Sequence, residues 1–221
     1  MNPIIRDCAW IPNGKKASLD DSFNRAVENN LDELHPDFCD VLRSISIVNH
    51  NPRFVIVGQD PYSGKNGIHP TGIAFHTKDN VRSVSLVKLS RCLLHLDEED
   101  LCSRMCKKEP NIIDLQRLAS AESFLMLNAA LTHDSRSIAK RAAVWFDFVG
   151  GVLKCLKKTP MIFFGKYAEE LGKFVGGTRA AFCPHPGRSS YNCMQAAFKA
   201  ASVDKFGIDF RKYCVCSESE R

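Results

Sequence analysis

Four apolar segments of strand length limit the fold more than any other feature of this chain. They are RFVIVG from Arg53, SFLMLN from Ser123, MIFFG from Met161 and RAAFC from Arg179. None of them alternates strictly between apolar and polar residues, which is typical of strands that are covered on both faces. We therefore predict four strands buried inside a sheet.

Helical periodicity separates these strand segments. Apolar residues recur at helical spacing in 84–96, 142–156, 167–174 and 191–203. An alternation of strands and helices favours a parallel sheet between two helical layers. We predict one α/β domain over residues 1–221, with three α/β/α layers around a central four-stranded parallel sheet. Residues 1–50 form a helical lead-in, and we expect the tail 215–221 to fray.

Composition and charge narrow the function classes. The 44% hydrophobic content is enough for a core, and 30 Lys and Arg against 25 Asp and Glu give a net charge of +5. This balance fits a polyanion partner and fits an ordinary solvated surface equally well. No run of 18 apolar residues occurs, and the first ten residues lack the build of a secretory leader. We therefore expect an intracellular protein with no membrane partner.

The ten cysteines raise the question of disulfides or a metal. A chain of this length does not need disulfides to fold, and several cysteines lie in core-like segments, so we expect reduced thiols. Cys92, His95, Cys102 and Cys106 are the alternative, a zinc site. The first two share a helical face, but paired Cys-x2-Cys spacing is missing. The main interpretation therefore contains no metal and no cofactor.

Polar residues follow each predicted strand where it ends. In an open parallel sheet, ligands bind beyond the carboxyl ends of the strands. We therefore expect a carboxylate, a carboxamide, a basic group and an imidazole to meet in one cleft. The segments concerned are Gln59-Asp60-Pro61-Tyr62, Asn128, Gly165-Lys166 and His185-Pro186-Gly187.

The first of these ends, GQDPYSGKNG, is not a phosphate-binding loop of the Walker type. Five residues rather than four separate Gly58 from Gly64, and Asn66 replaces the hydroxyl residue. Pro61 removes an N–H donor, and Asp60 would repel an anion. A rigid carboxylate instead suits developing positive charge on a sugar. A nucleotide or redox domain is a weaker alternative, because G-x-G-x-x-G is also absent.

Four motifs in order, GQDPY, TGIAF, SFLMLNAALT and HPGRSS, resemble those of the uracil-DNA glycosylases of the main, thymine-excluding family. The resemblance covers roughly two thirds of the chain, from Arg53 to the last predicted helix. It implies an enzyme of base excision repair that flips uracil out of single- and double-stranded DNA. Hydrolysis of the N-glycosidic bond then leaves an abasic site. The resemblance also implies a monomer that needs no cofactor.

The resemblance assigns roles to individual residues. Asp60 would position the attacking water and stabilise the sugar cation, and His185 would hydrogen-bond uracil O2. Tyr62 would stand beside uracil C5, Phe75 would stack on the base, and Asn128 would read the uracil edge. Gln59 would line the pocket through its backbone. The residues implied in DNA binding are Pro61, Ser63, Ser85, Gly165, Lys166, Pro186, Gly187, Arg188 and Ser189.

Several positions depart from the family pattern. Ser63 stands where the family usually has histidine, and a serine cannot carry a proton at neutral pH. The usual leucine wedge is replaced by Ser189, and we assign a wedge or phosphate-clamp role to the preceding Arg188. Lys166 is expected to add a phosphate contact. Ser85 matches a phosphate-touching serine, although a plain helix N-cap is the alternative.

These departures support a second hypothesis, a DNA-bound scaffold or processivity subunit with secondary glycosylase activity. Poxvirus members of the family also lack the leucine wedge and serve in DNA replication. A viral source and a replication-protein partner would follow, at the host-cell site of viral DNA replication; otherwise we expect the nucleus. Taken singly, each site residue also has an ordinary explanation as a turn, cap or core residue.

Overall fold

The computed structural model describes residues 1–29, 35–96, 111–176 and 180–215. Four strands form one sheet in which every neighbouring pair is parallel, in the order β2-β1-β3-β4. The prediction of a four-stranded parallel sheet is confirmed. The strands are β1 Phe54–Gly58, β2 Phe124–Asn128, β3 Met161–Phe164 and β4 Ala180–Cys183.

Helices flank both faces of the sheet and precede it in the chain. The four predicted helices are present with shifted ends, and the lead-in is helical as expected. The helix α5 was not predicted, because it spans only 8 residues. The α-helices are α1 Pro3–Asp7, α2 Asn13–Glu28, α3 Arg43–Ser46, α4 Val84–Leu94, α5 Leu115–Glu122, α6 Ile138–Lys154, α7 Lys166–Val175 and α8 Tyr191–Ala200. Short 3-10 turns occupy Phe38–Asp40, Lys65–Gly67, Lys78–Asn80, Val203–Phe206 and Phe210–Tyr213.

The central strands divide the core into two layers. Along β1, Val55 and Val57 face the cluster that contains α2 and α6, whereas Phe54 and Ile56 face the cluster that contains α4 and α8. Successive strand residues point to opposite faces, so both faces of this strand need apolar side chains. This is why the central strands show no apolar-polar alternation.

The edge strand β4 departs from the expectation of a strand covered on both faces. Phe182 in its middle is 43% exposed, and its ring stacks on Phe163 of the neighbouring strand at 5.6 Å. An edge strand has a neighbour on one side only. The prediction that this segment is a strand is confirmed. The prediction that both of its faces are buried is wrong.

The ring of Phe23 packs the helical lead-in against helix α6. Phe23 of α2 lies 5.9 Å from Trp145 and 5.4 Å from Phe148, both on α6. The Trp145 indole N–H donates to Thr132 Oγ1 at 2.8 Å, beyond the end of β2. Aromatic packing of this kind adds to the apolar area that these rings bury. The helix α6 is thus fixed both to the lead-in and to the segment that follows Asn128.

None of the helices in the described part of the chain combines the length and apolarity that crossing a bilayer requires.

Gly72 controls how the segment before Phe75 approaches the lead-in. Its φ is +76°, and a Cβ there would lie 1.7 Å from the carbonyl oxygen of Asp40. Two independent constraints, the left-handed backbone and the close approach, therefore require glycine.

Substitution of Gly72 by Ala is expected to lower the free energy of unfolding by about 3 kcal/mol or more, because strain and a steric clash add. Gly207→Ala is the matched control, since Gly207 has φ +65° but no atom within 4 Å of the added Cβ. Its cost should be about 1 kcal/mol. Urea unfolding of both variants measures the difference, and equal losses would mean that the Asp40 backbone simply moves aside.

Candidate active site

The ends of β1 and β2 bring an amide and an aromatic ring together. Gly58 and Asn128 are register partners at the last position of the two strands. A Cβ on Gly58 would lie 2.4 Å from Asn128 Oδ1 and 3.1 Å from Phe75 Cζ. The missing side chain of Gly58 therefore makes room for both groups. Among the described residues, none hydrogen-bonds the Asn128 amide, so its donor and acceptor are available to a ligand.

Phe75 occupies a strained backbone position. Its φ is +65°, which is rare for a bulky residue, and its side chain is only 6% exposed. The ring meets Phe164 edge-on at 5.7 Å and lies 6.1 Å from the His185 ring. The surrounding contacts therefore hold the ring in one orientation beside the Asn128 amide.

Two hydrogen bonds fix the side chain of Tyr62 next to Phe75. Its hydroxyl donates to the Phe75 carbonyl at 3.3 Å and hydrogen-bonds Ser83 Oγ at 2.7 Å. Burial raises the pKa of Tyr62 to about 12, although Ser83 and Ser85 oppose the shift. The phenol therefore stays neutral at physiological pH, and its ring has a fixed place.

The N-cap of α4 is Ser83, not Ser85. Ser83 Oγ accepts from the Leu86 N–H at 3.1 Å. Ser85 is the second residue of the helix, is 7% exposed and lies near the Tyr62 hydroxyl. The alternative that Ser85 is a plain N-cap is therefore wrong, because the preceding hydroxyl residue already takes that position.

His185 follows β4 and presents one defined donor. The Gly187 N–H donates to His185 Nδ1 at 3.2 Å, so a neutral ring carries its proton on Nε2. Burial lowers the pKa of His185; Asp60 opposes this shift and Arg188 reinforces it. Since Asp60 acts on this ring electrostatically, its carboxylate lies in the neighbourhood of the imidazole. The imidazole is therefore a neutral N–H donor at pH 7.

The HPGRSS loop is held from inside the protein. Ser189 is 5% exposed, and its hydroxyl donates to the carbonyls of Pro184 and His185. Lys88 of α4 donates to the carbonyls of Gly187 at 3.5 Å and Ser189 at 3.1 Å. The Ser189 side chain is thus a loop anchor, which differs from the expected DNA contact. Gly187, Arg188 and Ser190 are the exposed residues of this loop.

Sequence reasoning missed the partner of Asp60. Arg141 of α6 donates from Nη2 to Asp60 Oδ2 at 2.6 Å, and its Nη1 donates to the carbonyls of Asp134, at 3.0 Å, and Arg136. The Arg141 side chain is 7% exposed, so this ion pair is largely desolvated. The available signal was a charged residue on the same stripe as the buried Trp145 and Phe148 of α6.

Gln59 and Gly165 lie against each other at the edge of the site. A Cβ on Gly165 would lie 2.5 Å from the Gln59 side chain, and Gly165 has φ +93°. The Gln59 carbonyl accepts from the Ala130 N–H at 2.8 Å. This pair therefore joins the ends of three strands, and glycine is required at 165 for two reasons.

The remaining predicted DNA contacts differ in exposure. Lys166 is exposed, with its Nζ 5.6 Å from the Tyr167 ring centroid. Ser63 is half-buried, whereas Pro61 and Pro186 are buried. The prolines can therefore shape the loops but offer little contact surface themselves.

Half of the proposed alternative zinc set lies outside the described residues, namely Cys102 and Cys106. Cys92 is fully buried, and burial raises the pKa of its thiol to about 12, which disfavours the thiolate that binds zinc. Within the described ranges, no three His, Cys, Asp or Glu side chains come together as a metal site requires.

The His185 geometry predicts a measurable tautomer. We expect ¹⁵N NMR at pH 7 to show a neutral ring with the proton on Nε2, and a pKa below 6.5, because burial outweighs the attraction of Asp60. Protonation at lower pH removes the Nδ1 acceptor that Gly187 uses. The spectrum of His185→Gln assigns the signal, and a pKa above 6.5 or an Nδ1-protonated ring would contradict the assignment.

The Asp60–Arg141 pair predicts a stability loss. Arg141→Met should lower the free energy of unfolding by about 3–5 kcal/mol, because it leaves Asp60 and two carbonyls without their donor. Lys173→Met is the control, since Lys173 pairs with Glu169 in an exposed i,i+4 contact whose loss costs about 0.5 kcal/mol. Chemical unfolding measures the stability of each variant. Arg141→Met, Asp60→Asn and the double variant, compared with wild type, give the coupling energy between the two side chains. A coupling energy near zero would contradict the ion pair.

The chain was compared with family models, curated proteins and solved structures. No family model matches the chain. A curated uracil-DNA glycosylase of Desulfitobacterium hafniense is 29% identical over 150 residues, which are 65% of this chain and 62% of that protein. The Coxiella burnetii uracil-DNA glycosylase is 26% identical over 161 residues, 69% of this chain and 67% of that protein. The chain thus spans less than two thirds of the first relative.

Solved structures show the fold. The UNG of Nitratifractor salsuginis superimposes with a TM-score of 0.62 at 18% identity, over 90% of this chain and 92% of that chain. The mimivirus uracil-DNA glycosylase gives a TM-score of 0.54 at 17% identity, over 84% of this chain and 69% of that chain. The protein therefore has the uracil-DNA glycosylase fold and is similar in sequence to curated uracil-DNA glycosylases.

Proposed function

We propose that the protein is a uracil-DNA glycosylase of the thymine-excluding type, acting on single- and double-stranded DNA. The observation that carries this proposal is that Phe75 lies beside Asn128 and 6.1 Å from the His185 ring, on which the charge of Asp60 acts. The similarity to curated uracil-DNA glycosylases supports it independently. Because the chain matches less than two thirds of the Desulfitobacterium hafniense protein, the activity and the DNA partner are parts of the proposal.

The base pocket suits uracil. The Asn128 amide offers one donor and one acceptor, a pair that uracil matches and the cytosine edge does not. Phe75 provides an aromatic face, and Tyr62 is held too firmly to move aside for a thymine methyl group. A base inside a duplex is covered by its neighbours, so the nucleotide must be extruded before this pocket can receive it.

Hydrolysis of the N-glycosidic bond would use the Asp60 carboxylate and the His185 N–H group, which are fixed before the substrate binds. As the bond between C1′ and the base nitrogen breaks, positive charge grows on the sugar and uracil departs as an anion. Asp60 supplies the opposite charge near the sugar, orients the water that adds to C1′ and accepts the proton that this water loses. The neutral His185 donates its Nε2–H toward uracil O2, where negative charge grows. Arg141 keeps the carboxylate in one orientation.

The surface around the pocket suits a nucleic-acid backbone. Arg188 and Lys166 are both exposed beyond strand ends, and the whole chain carries a formal charge of +5. Arg188 has the length to fill the space that an extruded nucleotide leaves, or to bind a neighbouring phosphate.

A DNA-bound scaffold with secondary activity is the second candidate. The observation that favours it is the Asp60–Arg141 pair, because a guanidinium at 2.6 Å weakens the field that the carboxylate exerts on a sugar cation. A replication protein would then be the partner.

One assay separates the two candidates. Purified protein is incubated with single- and double-stranded oligonucleotides that carry one uracil, and abasic sites are cleaved with alkali. We expect strand breaks at uracil and none at thymine, and Asp60→Asn should slow release about 10²–10³-fold. Asp147→Asn is the control, an exposed carboxylate on α6 that should leave the rate unchanged. Tight DNA binding without strand breaks would favour the scaffold and contradict the glycosylase.

A further inference from the structure

A cavity of about 560 Å³ opens next to the loop that follows Asp60. We call it the two-histidine cavity. Apart from Ser63, none of the described residues that line it belongs to the predicted site. Its lining residues are His35, Ser63, Gly64, Lys65, His133, Asp134 and Ser135.

Backbone pairing places the two histidines side by side. The His35 N–H donates to the His133 carbonyl at 3.0 Å, and the His133 N–H donates back to the His35 carbonyl at 2.7 Å. Residues opposite each other in an antiparallel pair direct their side chains to the same side. The absent side chain of Gly64 admits the His35 ring, since a Cβ there would lie 2.9 Å from the His35 ring atom Cε1.

The cavity offers donors that suit an anion. Lys65 is exposed and cationic, the imidazoles of His35 and His133 each provide an N–H, and Ser63 and Ser135 add hydroxyls. Phosphate oxygens accept such hydrogen bonds strongly, especially from charged donors.

Asp134, the one carboxylate among the described lining residues, is already paired with an arginine. Arg136 binds Asp134 through its guanidinium, with Nε 2.8 Å from Oδ2, and its backbone N–H donates to Oδ1 at 2.8 Å. Asp134 is 5% exposed, so little of its charge faces an entering anion.

The position of the cavity links it to the reaction centre. Ser63 is three residues beyond Asp60, and an extended chain of that length reaches about 11 Å at most. His133 lies close enough to Asp60 and Arg141 for both charges to act on its ring. A phosphate bound in this cavity would therefore belong to a nucleotide next to the one whose sugar lies at Asp60.

We propose that the two-histidine cavity binds a DNA backbone phosphate adjacent to the extruded nucleotide, with Lys65, His35 and His133 as donors. The inference rests on the proposed glycosylase function and extends it. In this chain Ser63 stands where the resembled family has a histidine, and His133 of the cavity provides an imidazole near Asp60 instead.

Burial and four neighbouring titratable groups act on the proton affinity of His133. Burial lowers the pKa of His133, Arg141 and His35 add to this effect, and Asp60 and Asp134 oppose it. A bound phosphate attracts the protonated form, so DNA binding and proton uptake at His133 favour each other. Affinity should therefore rise as the pH falls from 7 toward 5.5, and His133→Gln should flatten that rise.

Neutral phosphate analogues test the proposal directly. Uracil-containing oligonucleotides are prepared in which one phosphate at a time around the uracil is replaced by an uncharged methylphosphonate. For the wild-type protein, one of these replacements should weaken binding about tenfold, the effect of losing a charge-assisted hydrogen bond. In Lys65→Ala and His133→Gln the weakening is already present, and the same replacement should cost less than about twofold more.

A matched variant and a second readout separate the possible outcomes. Lys158→Ala removes an exposed lysine that precedes β3, at the amino end of the strands and so away from the cavity, and should behave as wild type. Binding is measured by fluorescence anisotropy, which does not require catalysis, and uracil release is measured on the same DNA. Equal methylphosphonate penalties in wild type, Lys65→Ala and His133→Gln would overturn the phosphate site. Absence of uracil release from every DNA would overturn the proposed function alone.

Discussion

In-register parallel pairing of β1 with β2 is the constraint on which the rest of the site depends. It places Gly58 beside Asn128, and only the absence of a Cβ on Gly58 leaves room for the amide and the Phe75 ring. The same sheet edge carries Asp60 and the loop of His185. A shift of one residue in this pairing would turn the Asn128 side chain to the other face of the sheet, so the pocket and the core are specified together.

The ion pair between Asp60 and Arg141 joins the sheet edge to the helical layer beside it. Arg141 also holds the carbonyls of Asp134 and Arg136, so one guanidinium fixes both the acid and the turn after His133. An ion pair with this little exposure is costly to desolvate and contributes more to geometry than to stability. Orientation of the acid, rather than maximal charge on it, is the property that this arrangement favours.

Much of the fold was predictable, because strand and helix patterns are local. Apolar runs of strand length gave the four strands, and their alternation with helices gave the parallel sheet. The short helix α5 was missed, and the exposure of Phe182 was not foreseen, since an apolar run does not reveal whether a strand lies at the edge. Ser83 and Ser85 are equally good caps in sequence, and only the course of the chain decided between them.

By itself, the sequence determined which chemical groups stand at the strand ends: a carboxylate after β1, an amide at the end of β2 and an imidazole after β4. These follow from position along the chain and from the rule that parallel strands end at one edge. Tertiary structure alone decided that Arg141 neutralises Asp60 from 81 residues away and that His35 pairs with His133. Such contacts depend on how separate elements pack, and residue spacing along the chain carries no record of them.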